Sequence, residues 1–303
     1  MNTANRARQS NNSFAEDDLL HRLQSDQAGF ARISALAGKL AGIHLPATSK
    51  NLTLVATRLS YMIRELELAT YSDLARLLEK TPERHQEFIS ALTTNTTQFF
   101  REPTHFDILK QNLPTLIQSP HRAVGEFRIW CAASSTGQEV WTLLMTLLES
   151  PATTGLTIKF LASDIDTDCL EKAWKAIYPA DQCRGIPQNL LEKYFDSAAG
   201  PNHAGVQTTY YRVKREFRSR VQFARINLVE AFPFEKRFDV VFCRNVMIYF
   251  DRTTIDKISE KMAQALRPDG LLFLGLSEAG AIRNPSFKSI SPSVFKRLEM
   301  GPA

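Results

Sequence analysis

Several patterns that would assign a function at once are absent from this sequence. No apolar run approaches the roughly 18 residues that span a bilayer, and the polar N-terminus lacks the apolar segment of a secretory signal. We therefore expect a cytoplasmic protein with no membrane insertion. The 4 cysteines are far apart and form no C-x-x-C, so we predict reduced thiols packed as small hydrophobic side chains.

Metal and dinucleotide signatures are missing as well. The 6 histidines form no H-E-x-x-H and no pairing with cysteines, so we expect no metal site. No G-x-G-x-x-G is present, which argues against an NAD-dependent oxidoreductase. The net charge of +5 permits an acidic partner, but no basic stripe with interleaved aromatics stands out, and we expect no nucleic acid partner. The basic segment Tyr210–Arg220 is either a solvated strand-turn face or a docking surface for an acidic protein.

The first third of the chain carries helical periodicity throughout. We predict a disordered tail over residues 1–12 and a capping box formed by Ser13 and Glu16. Apolar residues then recur at helical spacing, and Gly42 ends one of the predicted helices. The sequence predicts a helical N-terminal domain over residues 13–95, followed by a linker over 96–120 that carries "NTTQFFRE".

The remaining residues, 121–303, alternate between apolar strands and amphipathic helices. This pattern predicts an α/β domain with a doubly wound, mostly parallel sheet covered on both faces. It breaks at about 178–221, where we predict a small inserted antiparallel β-subdomain. There "SAAGPNHAG" is interpreted as a loop, "VQTTYYRVKREF" as a strand pair, and the helix "DCLEKAWKAIY" as running to Tyr178.

Polar residues follow three of the predicted strands, where ligands of such sheets bind. The turn "AASSTGQE" has small side chains but a single glycine, Asp164 ends the second strand, and Arg244 and Asn245 end the fourth. An acid at the tip of the second strand can accept hydrogen bonds from two ribose hydroxyls. Asp166 or Thr167 can cap the next helix, and Asn245 can be a structural cap. Together these residues favour an adenosyl ligand without phosphates, and S-adenosylmethionine suits them better than NAD.

Five segments, in this order and spacing, resemble the chemotaxis receptor methyltransferases of the CheR family: "LTTNTTQFFRE", "ASSTGQE", "ASDID", "FCRNVMIYFD" and "LRPDGLLFLGLSE". The resemblance extends from about residue 30 to residue 298. It implies a helical N-terminal domain and a class I S-adenosylmethionine methyltransferase domain with an inserted antiparallel β-subdomain. It also implies that S-adenosylmethionine is the methyl donor and S-adenosylhomocysteine the product. The acceptors would be glutamates on the helical cytoplasmic region of chemoreceptors.

The same resemblance implies the residues of the site. Cofactor contacts fall on residues drawn from the first four of these segments and from "ARINLVE", namely Asn95, Thr97, Arg101, Glu139, Asp164, Asn227, Leu228, Arg244 and Asn245. The family's tyrosine near the transferred methyl group corresponds to Tyr249. We expect Arg101 and Tyr249 to guide the acceptor carboxylate as the catalytic pair. No general base is expected, because a carboxylate is already ionised at neutral pH.

The chain departs from the family pattern in two places. "GQEVW" follows the turn where members commonly have two acids, and the second N-terminal helix adds Glu65 and Glu67. The second change leaves the choice of receptor, and chemotaxis against another signalling array, open. Some members bind a receptor C-terminal peptide along the β-subdomain edge, and the strand near Val206–Val213 is where we would test this. We expect a monomer. The alternatives are a non-catalytic adenosyl-binding docking protein and a methyltransferase acting on RNA.

Overall fold

The computed structural model describes residues 18–202 and 204–299 and divides the chain into two compact units, one ending at Thr94 and one beginning at Asn95. The predicted tail and the capping box at Ser13 lie outside the described residues. In the described part, no helix has the length and apolar character needed to cross a bilayer.

The first unit is helical. Helix α1 includes residues 18–25, and it is followed by α2 (Gln27–Ala41), α3 (Ser49–Glu65), α4 (Tyr71–Lys80) and α5 (His85–Leu92). Gly42 ends α2 in the left-handed conformation, as predicted, with φ 72°. The apolar stripe of α3 is buried, including Val55, Leu59 and Ile63. The predicted all-helical character of this unit is confirmed.

The second unit contains a seven-stranded sheet. Its strands are β1 (Glu126–Ala132), β2 (Thr157–Asp164), β6 (Val221–Arg225), β7 (Phe238–Cys243), β8 (Leu266–Phe273), β9 (Phe287–Ser291) and β10 (Val294–Arg297). The order is β6-β2-β1-β7-β8-β10-β9, and the first five strands are parallel. Numbered within the sheet alone, this is 3-2-1-4-5-7-6. The predicted doubly wound, mostly parallel sheet is confirmed.

Helices cover both faces of this sheet. They are α6 (Thr104–Gln118), α7 (Gln138–Leu148), α8 (Thr167–Lys175) and α11 (Arg252–Ala265). Consecutive residues of β1 point to opposite faces of the sheet and pack in separate cores. Ile129 packs with α6 and α7, and Trp130 packs with α11. Helix α6 lies within residues 96–120, the segment that the sequence predicts to be a linker. The domain boundaries stay a prediction.

The small second sheet is antiparallel and has the order β3-β5-β4. Its strands are β3 (Ile177–Pro179), β4 (Phe195–Pro201) and β5 (Gln207–Val213), and the short helices α9 (Gln188–Tyr194) and α10 (Arg215–Arg218) accompany them. The predicted antiparallel β-subdomain is therefore present.

Four local predictions in this region are wrong. Much of "SAAGPNHAG" belongs to β4, and "VQTTYYRVKREF" forms one strand and a helical turn. The helix predicted to reach Tyr178 ends at Lys175, because Ala176 turns left-handed at φ 52° and β3 begins at the next residue. Strand β5 is the central strand, so the outer strands of this sheet are β3 and β4 and not the strand near Val206–Val213.

Candidate active site

The five parallel strands direct their carboxyl ends to one edge of the sheet, and most of the predicted site residues lie there. The first segment, after β1, is a tight turn from Ala133 to Gly137. Ala133, Ser135 and Gly137 all have positive φ, at 56°, 49° and 94°. A Cβ at residue 137 would lie 2.8 Å from the Cβ of Ala173, so only glycine fits between this turn and α8.

Asp164 ends β2 and holds this turn in place. Its carboxylate accepts hydrogen bonds from the backbone N–H of Ser135 at 2.7 Å and of Asp166 at 2.9 Å. Burial raises the pKa of Asp164 to about 6, against the lowering effect of these backbone N–H groups. Each carboxylate oxygen has two lone pairs, so Asp164 keeps acceptor capacity for a ligand. Asp166 caps α8 by accepting from the backbone N–H of Asp168 and Cys169, as predicted.

Asn95 is joined to both of these segments. Its side-chain Nδ2 donates to Asp166 Oδ2 at 2.9 Å, and its carbonyl oxygen accepts from Ser135 Oγ at 2.9 Å. The start of "NTTQFFRE" therefore contacts the turn after β1 and the tip of β2. Thr97, two residues further on, is half-buried.

Arg244, immediately after β7, is at the centre of a buried charge cluster. Its side chain is 0% exposed. NH1 pairs with Glu139 at the start of α7, while NH2 pairs with Glu102 at 2.9 Å and donates to the Arg101 carbonyl at 2.7 Å. Burial alone would lower the pKa of Arg244, but the two carboxylates raise it. This arrangement fixes the guanidinium as a brace between segments.

Glu102 accepts more bonds than the Arg244 pair alone. Its carboxylate also accepts from Asn245 Nδ2 at 3.3 Å and from the backbone N–H of Leu276 at 3.0 Å, and His105 Nδ1 lies 3.4 Å away. Burial would raise the pKa of Glu102, but Arg244 and the other donors lower it. Burial and the charge of Arg244 lower the pKa of His105 to about 4, so this imidazole is neutral at pH 7.

Asn245 adopts a positive φ of 58° and is held by Glu278. The Glu278 carboxylate accepts from the backbone N–H of Asn245 at 2.8 Å, of Gly275 at 2.7 Å and of Ile248 at 3.3 Å. Burial raises the pKa of Glu278 against these backbone contacts. Glu278 thus links the segments that follow β7 and β8.

The other predicted residues lie close by in the chain. Arg101 is half-buried and donates from NH1 to the Thr96 carbonyl at 3.1 Å. Tyr249 is half-buried at the end of a single 3-10 turn, Met247–Tyr249. After β6, Asn227 accepts from the Val229 backbone N–H at 3.2 Å, and Leu228 is buried.

Sequence reasoning missed Glu102, Glu278 and His105. The Glu102 carboxylate contacts residues of α6 and of the segments after β7 and β8. One available signal was that a buried arginine at a strand tip requires carboxylates, and Glu102 ends the motif "NTTQFFRE".

Comparison with known proteins agrees with this architecture. A family model described as "CheR methyltransferase, SAM binding domain" matches residues 95–295, and one described as "CheR methyltransferase, all-alpha domain" matches residues 28–93. The chain belongs to the CheR methyltransferase family. It is therefore an S-adenosylmethionine methyltransferase.

Three relatives are similar to this methyltransferase over most of their length. The chemotaxis protein methyltransferase of Escherichia coli (strain K12) is 40% identical over 263 residues, which cover 86% of this chain and 87% of that protein. Chemotaxis protein methyltransferase 2 of Pseudomonas aeruginosa is 39% identical over 88% of this chain and 91% of that protein. The chemotaxis protein methyltransferase of Klebsiella aerogenes is 38% identical over 97% of this chain and 95% of that protein.

The residues present fit an adenosyl ligand. The turn after β1 offers small side chains, and the buried Ser134 Oγ finds no hydrogen-bond partner among the described residues. Asp164 retains acceptor capacity beside it. When bound, S-adenosylmethionine supplies a methyl group on a positively charged sulfur.

Proposed function

We propose that this methyltransferase modifies glutamate side chains on the helical cytoplasmic region of chemoreceptors, giving γ-carboxyl methyl esters. The observation that carries the proposal is the near full-length similarity to chemotaxis protein methyltransferases. Support also comes from the site, where the signature residues Asn95, Glu139, Asp164, Arg244 and Asn245 form contacts at one edge of the sheet or beside it.

The proposed chemistry needs positioning more than proton transfer. An acceptor glutamate is ionised at neutral pH and attacks without losing a proton. The only titratable imidazole among the contacts described at the strand ends, His105, is buried and lies against Glu102 and Ser293. The chain's task is to hold the carboxylate in line with the transferred methyl, which can supply roughly 7–11 kcal/mol at best.

Within this proposal, the cofactor site is formed by Asn95, Thr97, Arg101, Glu139, Asp164, Asn227, Leu228, Arg244 and Asn245. Asp164 accepts from the ribose. Glu139 and Arg244 act mainly through each other, since the guanidinium is fully enclosed. Arg101 and Tyr249 orient the acceptor carboxylate. A receptor C-terminal peptide would add to the free edge of β4, where every residue from Asp196 to Ala199 is exposed.

The test is incubation with methyl-labelled S-adenosylmethionine and a receptor cytoplasmic fragment. We expect label on the receptor that base releases, because a carboxyl methyl ester is hydrolysed by base. Base-stable label, or label that enters only added RNA, would contradict the proposal. A variant fragment with glutamines at the acceptor positions is the matched control and should take up no label.

Replacing Arg101 by alanine tests the acceptor-orienting role. We expect about tenfold slower methyl transfer, because the loss of one charge-assisted contact to the acceptor carboxylate has an effect of about this size. The free energy of unfolding should change by less than about 1 kcal/mol. The side chain makes one described hydrogen bond, to Thr96, and the contact with Arg244 uses the backbone carbonyl, which alanine keeps. Steady-state kinetics and thermal unfolding measure the two quantities. Arg283→Ala, at an exposed position, is the control; equal loss in both variants would refute the role.

A further inference from the structure

Two large apolar side chains lie exposed at the edge of the sheet that carries the site. Ile248 is 58% exposed and follows β7, and Leu276 is 48% exposed and follows β8. Neither position is needed for the core that these strands form. Exposed apolar pairs beside a reaction site are typical of surfaces that contact a partner.

The backbone at both positions is held by buried carboxylates. Glu278 accepts from the Ile248 N–H and from the N–H of Gly275, which precedes Leu276. Glu102 accepts from the Leu276 N–H itself. Because one carboxylate contacts both segments, their backbones lie close together, and the hydrogen bonds hold both segments in place. The two exposed side chains are therefore carried by fixed segments.

The positions around Leu276 carry no exposed charge. Ser277, Ala279 and Gly280 are exposed and small, and Tyr249 directly follows Ile248. This uncharged rim, formed by Ile248 and Leu276, therefore lies next to a residue that we expect to meet the acceptor carboxylate. Apolar neighbours of the acceptor would be removed from water on contact with this rim.

We propose that Ile248 and Leu276 form an acceptor-binding rim that contacts apolar side chains one helical turn from the glutamate to be methylated. On a helix, residues three and four positions apart share a face. An acceptor glutamate that enters the site therefore brings such neighbours over the rim. This inference rests on the proposed function and adds to it a determinant of which glutamates are methylated.

The experiment compares the parent with the double variant Ile248→Ser/Leu276→Ser. We expect the KM for a receptor cytoplasmic fragment to rise about tenfold, from loss of apolar contact area, while kcat at saturating acceptor stays within about twofold. Calorimetric affinity for S-adenosylhomocysteine should not change. Val124→Ser is the control, since Val124 is 96% exposed and lies at the amino end of β1, at the other end of the sheet; it should match the parent.

Binding of the receptor fragment in the presence of S-adenosylhomocysteine, measured without turnover, separates the two proposals. A parent that binds the fragment, with the double variant binding about tenfold more weakly, supports the rim even if no methyl ester forms and the proposed function fails. Unchanged binding and KM in the double variant overturn the rim while leaving methylation intact. An equal loss of S-adenosylhomocysteine affinity overturns it too, because the residues would then belong to the cofactor site.

Discussion

Arg244→Met should lower the free energy of unfolding by about 3–5 kcal/mol, the largest effect that we expect from any substitution at the site. The guanidinium is fully enclosed and pairs with Glu102 and Glu139. Methionine fills a similar volume but leaves two carboxylates facing each other without a cation. Breaking a buried pair from one side costs far more than the pair contributes net, because the remaining charge stays desolvated.

Urea unfolding followed by tryptophan fluorescence measures this loss. All 3 tryptophans, Trp130, Trp141 and Trp174, lie in the second unit, so the signal reports the part of the chain that contains Arg244. Arg237→Met, at an exposed position, should change stability by no more than about 0.5 kcal/mol.

Adding Glu102→Gln to Arg244→Met should recover part of the loss, since it removes one of the unpaired charges. In the parent background the same Glu102→Gln substitution should destabilise. A loss under about 1 kcal/mol for Arg244→Met would show that the cluster is solvated and contributes little. Simple additivity of the two substitutions would show that Arg244 and Glu102 are not coupled.

Asp164→Asn should weaken binding of S-adenosylhomocysteine by about 30-fold or more. Hydrogen bonds to a charged group are worth about 1.5–3 kcal/mol, and a ribose would donate two to this carboxylate. The amide also fits the site poorly. Both carboxylate oxygens already accept from backbone N–H groups, of Ser135 and Asp166, and an amide nitrogen cannot accept.

Isothermal calorimetry measures this affinity. Asp168→Asn is the matched control, because Asp168 is an exposed acid in the first turn of α8. Affinity within threefold of the parent in Asp164→Asn would remove Asp164 from the cofactor site. Thermal unfolding of the same samples excludes a general loss of structure as the cause.

The pH dependence gives an independent readout of Asp164. Its pKa in the folded protein, about 6, lies above the ordinary value of 3.8. The ionised form therefore destabilises the fold above pH 6, and this penalty declines as the pH falls from 6 towards 3.8 and is absent below 3.8. Ribose donors need the ionised form, so the affinity for S-adenosylhomocysteine should fall about tenfold between pH 7 and pH 5. In Asp164→Asn this dependence should be absent.

Much of the fold follows from sequence pattern. The parallel strands carry apolar runs, Asp166 is a good helix cap and Gly42 ends a helix in the conformation that glycine favours. Strand β4 gave no such signal, because its pairing with β5 comes from the backbone while most of its side chains are exposed, leaving no alternation. The antiparallel hairpin of β9 and β10 was not predicted for a similar reason, since β9 has no buried residue.

The site was predictable as a set of strand-end residues but not as a network. Asp164, Arg244 and Asn245 could be placed because parallel strands end at one edge. The partners of these residues could not. Glu102 meets Asn245 and Leu276 across 143 and 174 residues of sequence, and no local pattern encodes contacts of that separation.

The position of Glu102 limits how this protein can be divided or recombined. A chain begun at residue 121 would retain every strand of the seven-stranded sheet, yet Arg244 would keep only Glu139, and the segments after β7 and β8 would lose the carboxylate that joins them. The sheet is therefore not a transferable cofactor-binding module. Any fusion or domain exchange that preserves methyl transfer has to carry the "NTTQFFRE" segment together with the strands that it braces.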